Sequence, residues 1–363
     1  MCFVEAGRHL AHPARGKSGN ARRGKVVLAQ QDLTPAPKKP AQRSWRRLVL
    51  QLVLWALALL LLVWVISQVP LEDILAILAQ LKLWEITLLL LVNASIIVFF
   101  GLRWWLILRA LGHSISYISV TRYRLAAFGV SYFTPGPHFG GEPLQVYYLR
   151  QKHAVPGTTA VASLALDKTF ELLANFAFLV FGIALVLSSG VFGSLADTGA
   201  LPLSLILLVL PLVYLVLLWG QRQPLSALVR LMPGRWGQRL VELFKSIEGQ
   251  MNVFCLQHPV VLMQSVLISG LVWVALIFEY WLALRFLGVS MNFVEIMGIM
   301  TAARIALLTP LPGALGALEA SQVLAMQALG LEAAFGLGIG LLIRARDVLF
   351  SLLGLIWGLL IRD

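Results

Sequence analysis

Charge is what this sequence has least of: 13% of its 363 residues are Asp, Glu, Lys or Arg, and only 17 are acidic. A soluble domain carries about 25% charged residues, so the chain lacks the polar surface that a water-facing globular enzyme requires. Two cysteines, Cys2 and Cys255, are too few for a disulfide framework. No Walker lysine follows the Gly-Gly of Thr134–Glu142, so no nucleotide loop is read there. His138 has no second His or Cys near it in sequence, and it reads as a structural residue rather than a ligand. No metal and no cofactor is expected. What is abundant is apolar and basic. Hydrophobic residues make up 59%, and 29 Lys and Arg give a net charge of +12. Eleven of those 29 lie in the first 47 residues rather than along a folded surface, so nucleic acid is not expected as a partner.

Residues 1–47 are rich in Ala, Arg, Lys, Gly and Pro, a composition that cannot offset the entropy of ordering. They read as a disordered basic cytoplasmic tail, with a later start codon as the alternative; residues 48–363 read as one transmembrane domain. A span needs about 20 mostly apolar residues. Six stretches qualify: Leu48–Val69, Leu83–Leu111, Pro156–Leu187, Leu201–Trp219, Pro259–Leu287 and Leu331–Ile361. Two more, Tyr117–Gln151 and Asn292–Gln327, are apolar but interrupted by Thr134-Pro135-Gly136-Pro137-His138-Phe139-Gly140-Gly141 and by Thr309-Pro310-Leu311-Pro312-Gly313. Each reads as a re-entrant pair of half-helices hinged at its turn: Pro135, Gly136, Pro137, Gly140 and Gly141 in the first, Pro310, Pro312, Gly313 and Gly316 in the second. Leu71–Lys82 and Pro224–Cys255 read as surface helices, the latter cytoplasmic. The expected fold is therefore an all-α polytopic membrane protein with about six spans and two re-entrant broken helix pairs.

The chain also repeats itself. Trp105–Gly112 matches Trp281–Gly288 at six of eight positions, 176 residues apart. At nearly the same offset Thr134-Pro135-x-Pro137 falls on Thr309-Pro310-x-Pro312, Glu142 on Glu319, Lys168 on Arg344, Glu171 on Asp347 and Gly182 on Gly358. Leu-rich sequence can match by chance; a turn, an acid, a cation–acid pair and a glycine at one offset do not. With the tail placed in the cytoplasm, 23 of the 29 basic residues fall inside and only Lys82 and Arg285 outside, in line with the positive-inside rule. Arg103 and Arg124 are counted in the inside set. The C-terminus then also lies inside, and the repeats, residues 83–189 and 259–361, start on opposite faces. Inverted repeats with broken helices are a transporter architecture with the substrate site at the repeat interface.

Four cations remain at membrane depth: Lys168, Arg304, Arg344 and Arg346, with Glu142, Asp167, Glu171, Glu319 and Asp347 as their acids. A charge facing lipid costs roughly 2.5–3.5 kcal/mol on insertion scales. One reading is internal ion pairing that braces the bundle, since Lys168/Glu171 and Arg344/Asp347 sit at i,i+3. The other is a polar site in which Lys168, Arg304 and Arg344 hold a head-group phosphate while Glu142, Glu319, Glu171 and Asp347 balance charge or meet an amine. Arg304, shortly before Thr309-Pro310, is the candidate least suited to bracing, and guanidinium matches phosphate bidentately. Glu72-Asp73 suits either the polar start of a surface helix or a pair of catalytic acids.

Gly140-Gly141-Glu142-Pro143-x-x-x-Tyr147-x-Leu149, Ala162-Ser163-x-x-x-Asp167-Lys168, Thr309-Pro310-x-Pro312-Gly313-x-x-Gly316-x-x-Glu319 and Arg344 together resemble the lysylphosphatidylglycerol synthase transmembrane region, a flippase-like family, over residues 48–361. The resemblance implies a multi-pass protein of the bacterial cytoplasmic (inner) membrane that moves lipids between leaflets. Full-length synthases carry a further aminoacyl-transfer domain; with the chain ending at Asp363, the expectation is a stand-alone flippase-like protein and not an enzyme. The sequence departs from the family in having Asp167-Lys168 for Asp-Arg and Gly316-Ala317 for Gly-Gly. The expected partners are membrane lipids, with a lipid-biosynthesis enzyme or a second copy of the chain as further candidates. The other class of reading is a membrane enzyme or accessory subunit acting on a polyprenyl or terpenoid lipid.

Overall fold

The computed structural model describes residues 72, 79–132, 134, 140–190, 200–232, 234–309, 311 and 314–360. The basic tail, the expected span Leu48–Val69, most of Leu71–Lys82 including Asp73, and the turn residues Pro135, Gly136, Pro137, Pro310, Pro312 and Gly313 lie outside them.

The described residues form helices and no strand. In chain order they are α1 (Leu83–Ala110), α2 (Tyr117–Tyr132), α3 (Glu142–His153), α4 (Gly157–Ser189), α5 (Ala200–Trp219), α6 (Pro224–Val229), α7 (Arg235–Gln257), α8 (Pro259–Phe286), α9 (Phe293–Leu307), α10 (Ala317–Ala328) and α11 (Ala333–Leu360). Both interrupted segments resolve into two helices, α2 with α3 and α9 with α10. Pro224–Cys255, read from sequence as one surface element, is instead split in two, because Gly234 with φ 98° cannot continue a helix.

Among the described residues four helices are long and apolar enough to cross a membrane: α1, α4, α5 and α8. Helix α11 is as long as α1, but Arg344, Arg346 and Asp347 fall in its middle, so no sufficiently long stretch of it is free of charge. Leu203, Ile206, Leu210, Val213 and Val216 of α5 stay exposed. Such an apolar surface, too large for a water-soluble protein, is what hydrocarbon covers.

Local chemistry sets the helix ends. Asn292 and Glu295 cap α9 reciprocally: the Glu295 N–H donates to Asn292 Oδ1 at 3.0 Å and the Asn292 N–H to Glu295 Oε2 at 2.8 Å. Helices α1 and α8 stop alike, at Gly112 (φ 87°) and Gly288 (φ 82°), with His113 and Val289 donating back to the Leu108 and Leu284 carbonyls.

Packing then follows the small residues. Helix α2 lies backbone to backbone on α11: a Cβ added to Gly354 would stand 2.0 Å from the Leu125 carbonyl oxygen, and one on Gly129 2.5 Å from that of Ser351. Helix α4 meets α9 where Gly182 faces Thr301. Helices α1 and α8 run antiparallel, because Arg103 bonds Ser269 while Asn93 bonds Glu279. One apolar core joins α9, α10 and α11 to the C-terminal end of α8; a second joins α2 and α3 to the C-terminal half of α1 and the start of α4. A third sets α4 against α5 and α7.

Candidate functional site

The first polar cluster is built on α4, whose 3.6-residue repeat brings Asp167, Lys168 and Glu171 toward neighbouring helices. Asp167 is 1% exposed and holds two guanidiniums: Arg103 Nε of α1 donates to Oδ1 at 2.7 Å, and Arg124 Nη1 of α2 to Oδ2 at 2.5 Å. Arg103 Nη1 also donates to Ser269 Oγ of α8 at 2.9 Å. Glu171 lies 3.2 Å from Arg124 and 3.2 Å from Lys168, and Lys168 lies 3.4 Å from Glu142 at the start of α3. The other oxygen of Glu142 accepts the Gly140 N–H at 2.8 Å, so one carboxylate both ties down the turn and faces the lysine. Gly141 is held by Ser131 Oγ at 2.9 Å, and a Cβ on it would stand 2.0 Å from the Ala127 carbonyl oxygen.

The second broken pair is built the same way. Glu319 in the first turn of α10 accepts the Gly316 N–H at 2.8 Å with Oε2 and Arg344 Nε of α11 at 2.6 Å with Oε1. Gly316 has φ 79°, a conformation glycine adopts at least cost. Arg344 also donates to the Ala314 carbonyl at 2.9 Å and to the Tyr132 hydroxyl at 3.5 Å. It thereby links the second turn to the last residue of α2, just before the first turn.

A third cluster joins α8 to α11. Arg346 pairs with Glu279 and, at 2.9 Å, with Asp347, and donates to Asn93 Oδ1 at 2.9 Å. Asn93 in turn donates to Glu279 at 2.9 Å. Arg304 of α9 stacks over Trp273, 4.6 Å from the ring centroid, and Trp273 stacks on Phe178 at 4.1 Å. No carboxylate lies within ion-pair distance of Arg304 among the described residues.

Residues 48–354 match the family described as the lysylphosphatidylglycerol synthase TM region. The chain belongs to that family. No curated protein and no solved structure matches it. Membership of the lysylphosphatidylglycerol synthase TM region family, with helices long and apolar enough to span, makes this a multi-pass membrane protein of lipid-related function.

Within this family member the charges sort by exposure. Arg103, Asp167 and Glu319 are 1% exposed and enclosed by partners, as bracing groups are. Lys168, Glu142 and Glu171 keep 24, 25 and 35% of their side-chain surface and can be reached from outside the bundle. Of the residues singled out from sequence, Lys168, Glu171 and Glu142 meet in one cluster, as do Arg344 and Glu319. Asp347 goes to Arg346 rather than to the i,i+3 partner read from sequence, Arg344. Arg304 stands apart.

Counting charges along the chain put Arg103 and Arg124 among inside-facing cations; in the first cluster Arg103 is buried and Arg124 half-buried, both paired with Asp167. Glu279, Asn93 and Ser269 were missed. The repeat carried the signal, since Arg103 and Glu279, like Asn93 and Ser269, are 176 apart.

Proposed function

We propose that this chain binds a phosphate-bearing lipid head group at membrane depth and passes it between the leaflets of the bacterial cytoplasmic membrane, acting as a translocator rather than an enzyme. The observation that carries this reading is Arg304, a cation among apolar helices that rests on an aromatic face and has no carboxylate partner among the described residues. A half-buried guanidinium with no acid beside it meets a phosphate strongly. The partly exposed Lys168, Glu142 and Glu171 supply a second polar foothold, where the acids meet a head-group amine or balance charge.

In this reading the two halves are inverted repeats with re-entrant pairs α2–α3 and α9–α10, six spans, and both termini in the cytoplasm. The antiparallel course of α1 and α8 supports it, as does the shared design of Glu142 with Lys168 and Glu319 with Arg344. Movement would be passive or ion-coupled. Its test is reconstitution in vesicles with a fluorescent phospholipid, bleached from outside to count the outer leaflet. Arg304→Ala together with Arg344→Ala should slow exchange at least ten-fold; unchanged exchange would sink the site assignment. Arg304→Ala alone, which leaves every ion pair in place, guards against a folding artefact from Arg344.

A further inference from the structure

Residues 220–257 carry a surface that lipid translocation does not use. Glu248 of α7 is fully buried, and its two oxygens accept the Leu225 and Ser226 backbone N–H groups at 2.8 and 2.9 Å. That carboxylate fastens the first turn of α6 to α7 and so fixes which way α6 faces. Beyond it Leu228, Leu231 and Met232 are 61, 80 and 55% exposed, an apolar knuckle in a fixed position. Arg222, Arg230, Arg239 and Lys245 of the same segment are exposed, with one exposed acid, Glu242, between the last two. None of the four has a carboxylate within ion-pair distance among the described residues, whereas Arg103, Arg124, Lys168, Arg344 and Arg346 all do. Helix α7 turns its apolar face, with Ile247, Met251 and Phe254, into the third core and leaves its charged face outward.

Unpaired cations beside bare hydrocarbon specify a partner that offers negative charge and acyl chains together. A nucleic acid or an acidic peptide would match the cations and leave Leu228, Leu231 and Met232 in water. We propose that α6 and the adjoining half of α7 form an interfacial clasp for anionic phospholipid. The apolar knuckle enters the acyl boundary while Arg222, Arg230, Arg239 and Lys245 meet lipid phosphates, the mode of interfacial amphipathic helices. Each cation at an anionic surface strengthens such contact by about five-fold. The clasp stands or falls independently of transport.

The test uses the full chain in neutral detergent, delipidated and titrated with dioleoylphosphatidylglycerol or dioleoylphosphatidylcholine, with retained lipid counted by native mass spectrometry. Wild type should hold the anionic lipid more tightly. Arg222→Gln with Arg230→Gln should weaken it about 25-fold and leave phosphatidylcholine unaffected. Leu231→Ser with Met232→Ser should weaken both lipids. Arg239→Gln with Lys245→Gln repeats the charge test should the first variant fail to fold. Equal retention of the two lipids by wild type, or unchanged phosphatidylglycerol binding in both charge variants, would overturn the clasp. So would displacement of the lipid by equimolar glycerol 3-phosphate or by an RNA oligomer. If the clasp holds while Arg304→Ala leaves lipid exchange unchanged, the translocation reading fails and this one survives.

Discussion

Asp167→Asn is expected to destabilise the bundle by about 3–5 kcal/mol, the range for breaking a buried ion pair. The carboxylate is 1% exposed and bonded at 2.7 and 2.5 Å to two guanidiniums from different helices. At an effective dielectric of 20, each attraction at a charge separation near 4 Å is about 4 kcal/mol. Those attractions offset a desolvation cost of several kcal/mol per ion. Without the carboxylate, Arg103 and Arg124 share only Glu171, at 3.7 and 3.2 Å. Arg103→Met should cost less, about 3 kcal/mol, because Asp167 keeps Arg124. The double variant Arg103→Met with Asp167→Asn restores local neutrality, so its cost should stay near that of Asp167→Asn alone, giving a coupling of about 3 kcal/mol. Equilibrium unfolding in mixed micelles, followed by tryptophan fluorescence against the fraction of dodecyl sulfate, measures all four corners of the cycle. If the single costs add within about 0.5 kcal/mol, the pair is not a structural brace and the separation of bracing from accessible charges by exposure is wrong.

Arg304→Met should behave oppositely, lowering stability by no more than about 1–2 kcal/mol, the worth of the lost cation–π contact with Trp273, while slowing lipid exchange at least ten-fold in vesicles. Gly141→Ala should cost at least about 1–3 kcal/mol through overpacking, since its methyl would overlap the Ala127 carbonyl; the same unfolding assay reads it. Burial beside Tyr123 holds the His153 imidazole below its ordinary value. Its unfolded form therefore takes up protons first, so stability should be level above about pH 6.5 and fall as the pH drops from there toward the His153 value; His153→Gln should flatten that slope in melting curves.

Much of the fold was legible because hydrocarbon imposes a simple code. Length and apolarity picked out α1, α4, α5 and α8, and proline and glycine marked where α2–α3 and α9–α10 break. The repeat joined Glu142 to Glu319 and Lys168 to Arg344 before any contact was known, since equivalent turns need equivalent carboxylates to take up their free N–H groups. Charge counting does not reveal that Arg103 and Arg124 both pair with Asp167. A cation shows no partner in the local sequence when that partner, here Asp167, lies more than 40 residues away.

The sequence alone determined a membrane-spanning all-α chain, its two broken segments and the scarcity that makes every buried charge need a reason. Tertiary structure decided which charges are enclosed and which can be reached. Pairing depends on which helix faces meet, and those faces are set by glycine contacts such as Gly354 on Leu125 and by polar crossings such as Arg103 on Ser269. No local pattern encodes them. Among the described residues, the few charges of the bundle are thus divided between enclosed pairs such as Arg103 with Asp167 and reachable groups such as Lys168 only once the helices have packed.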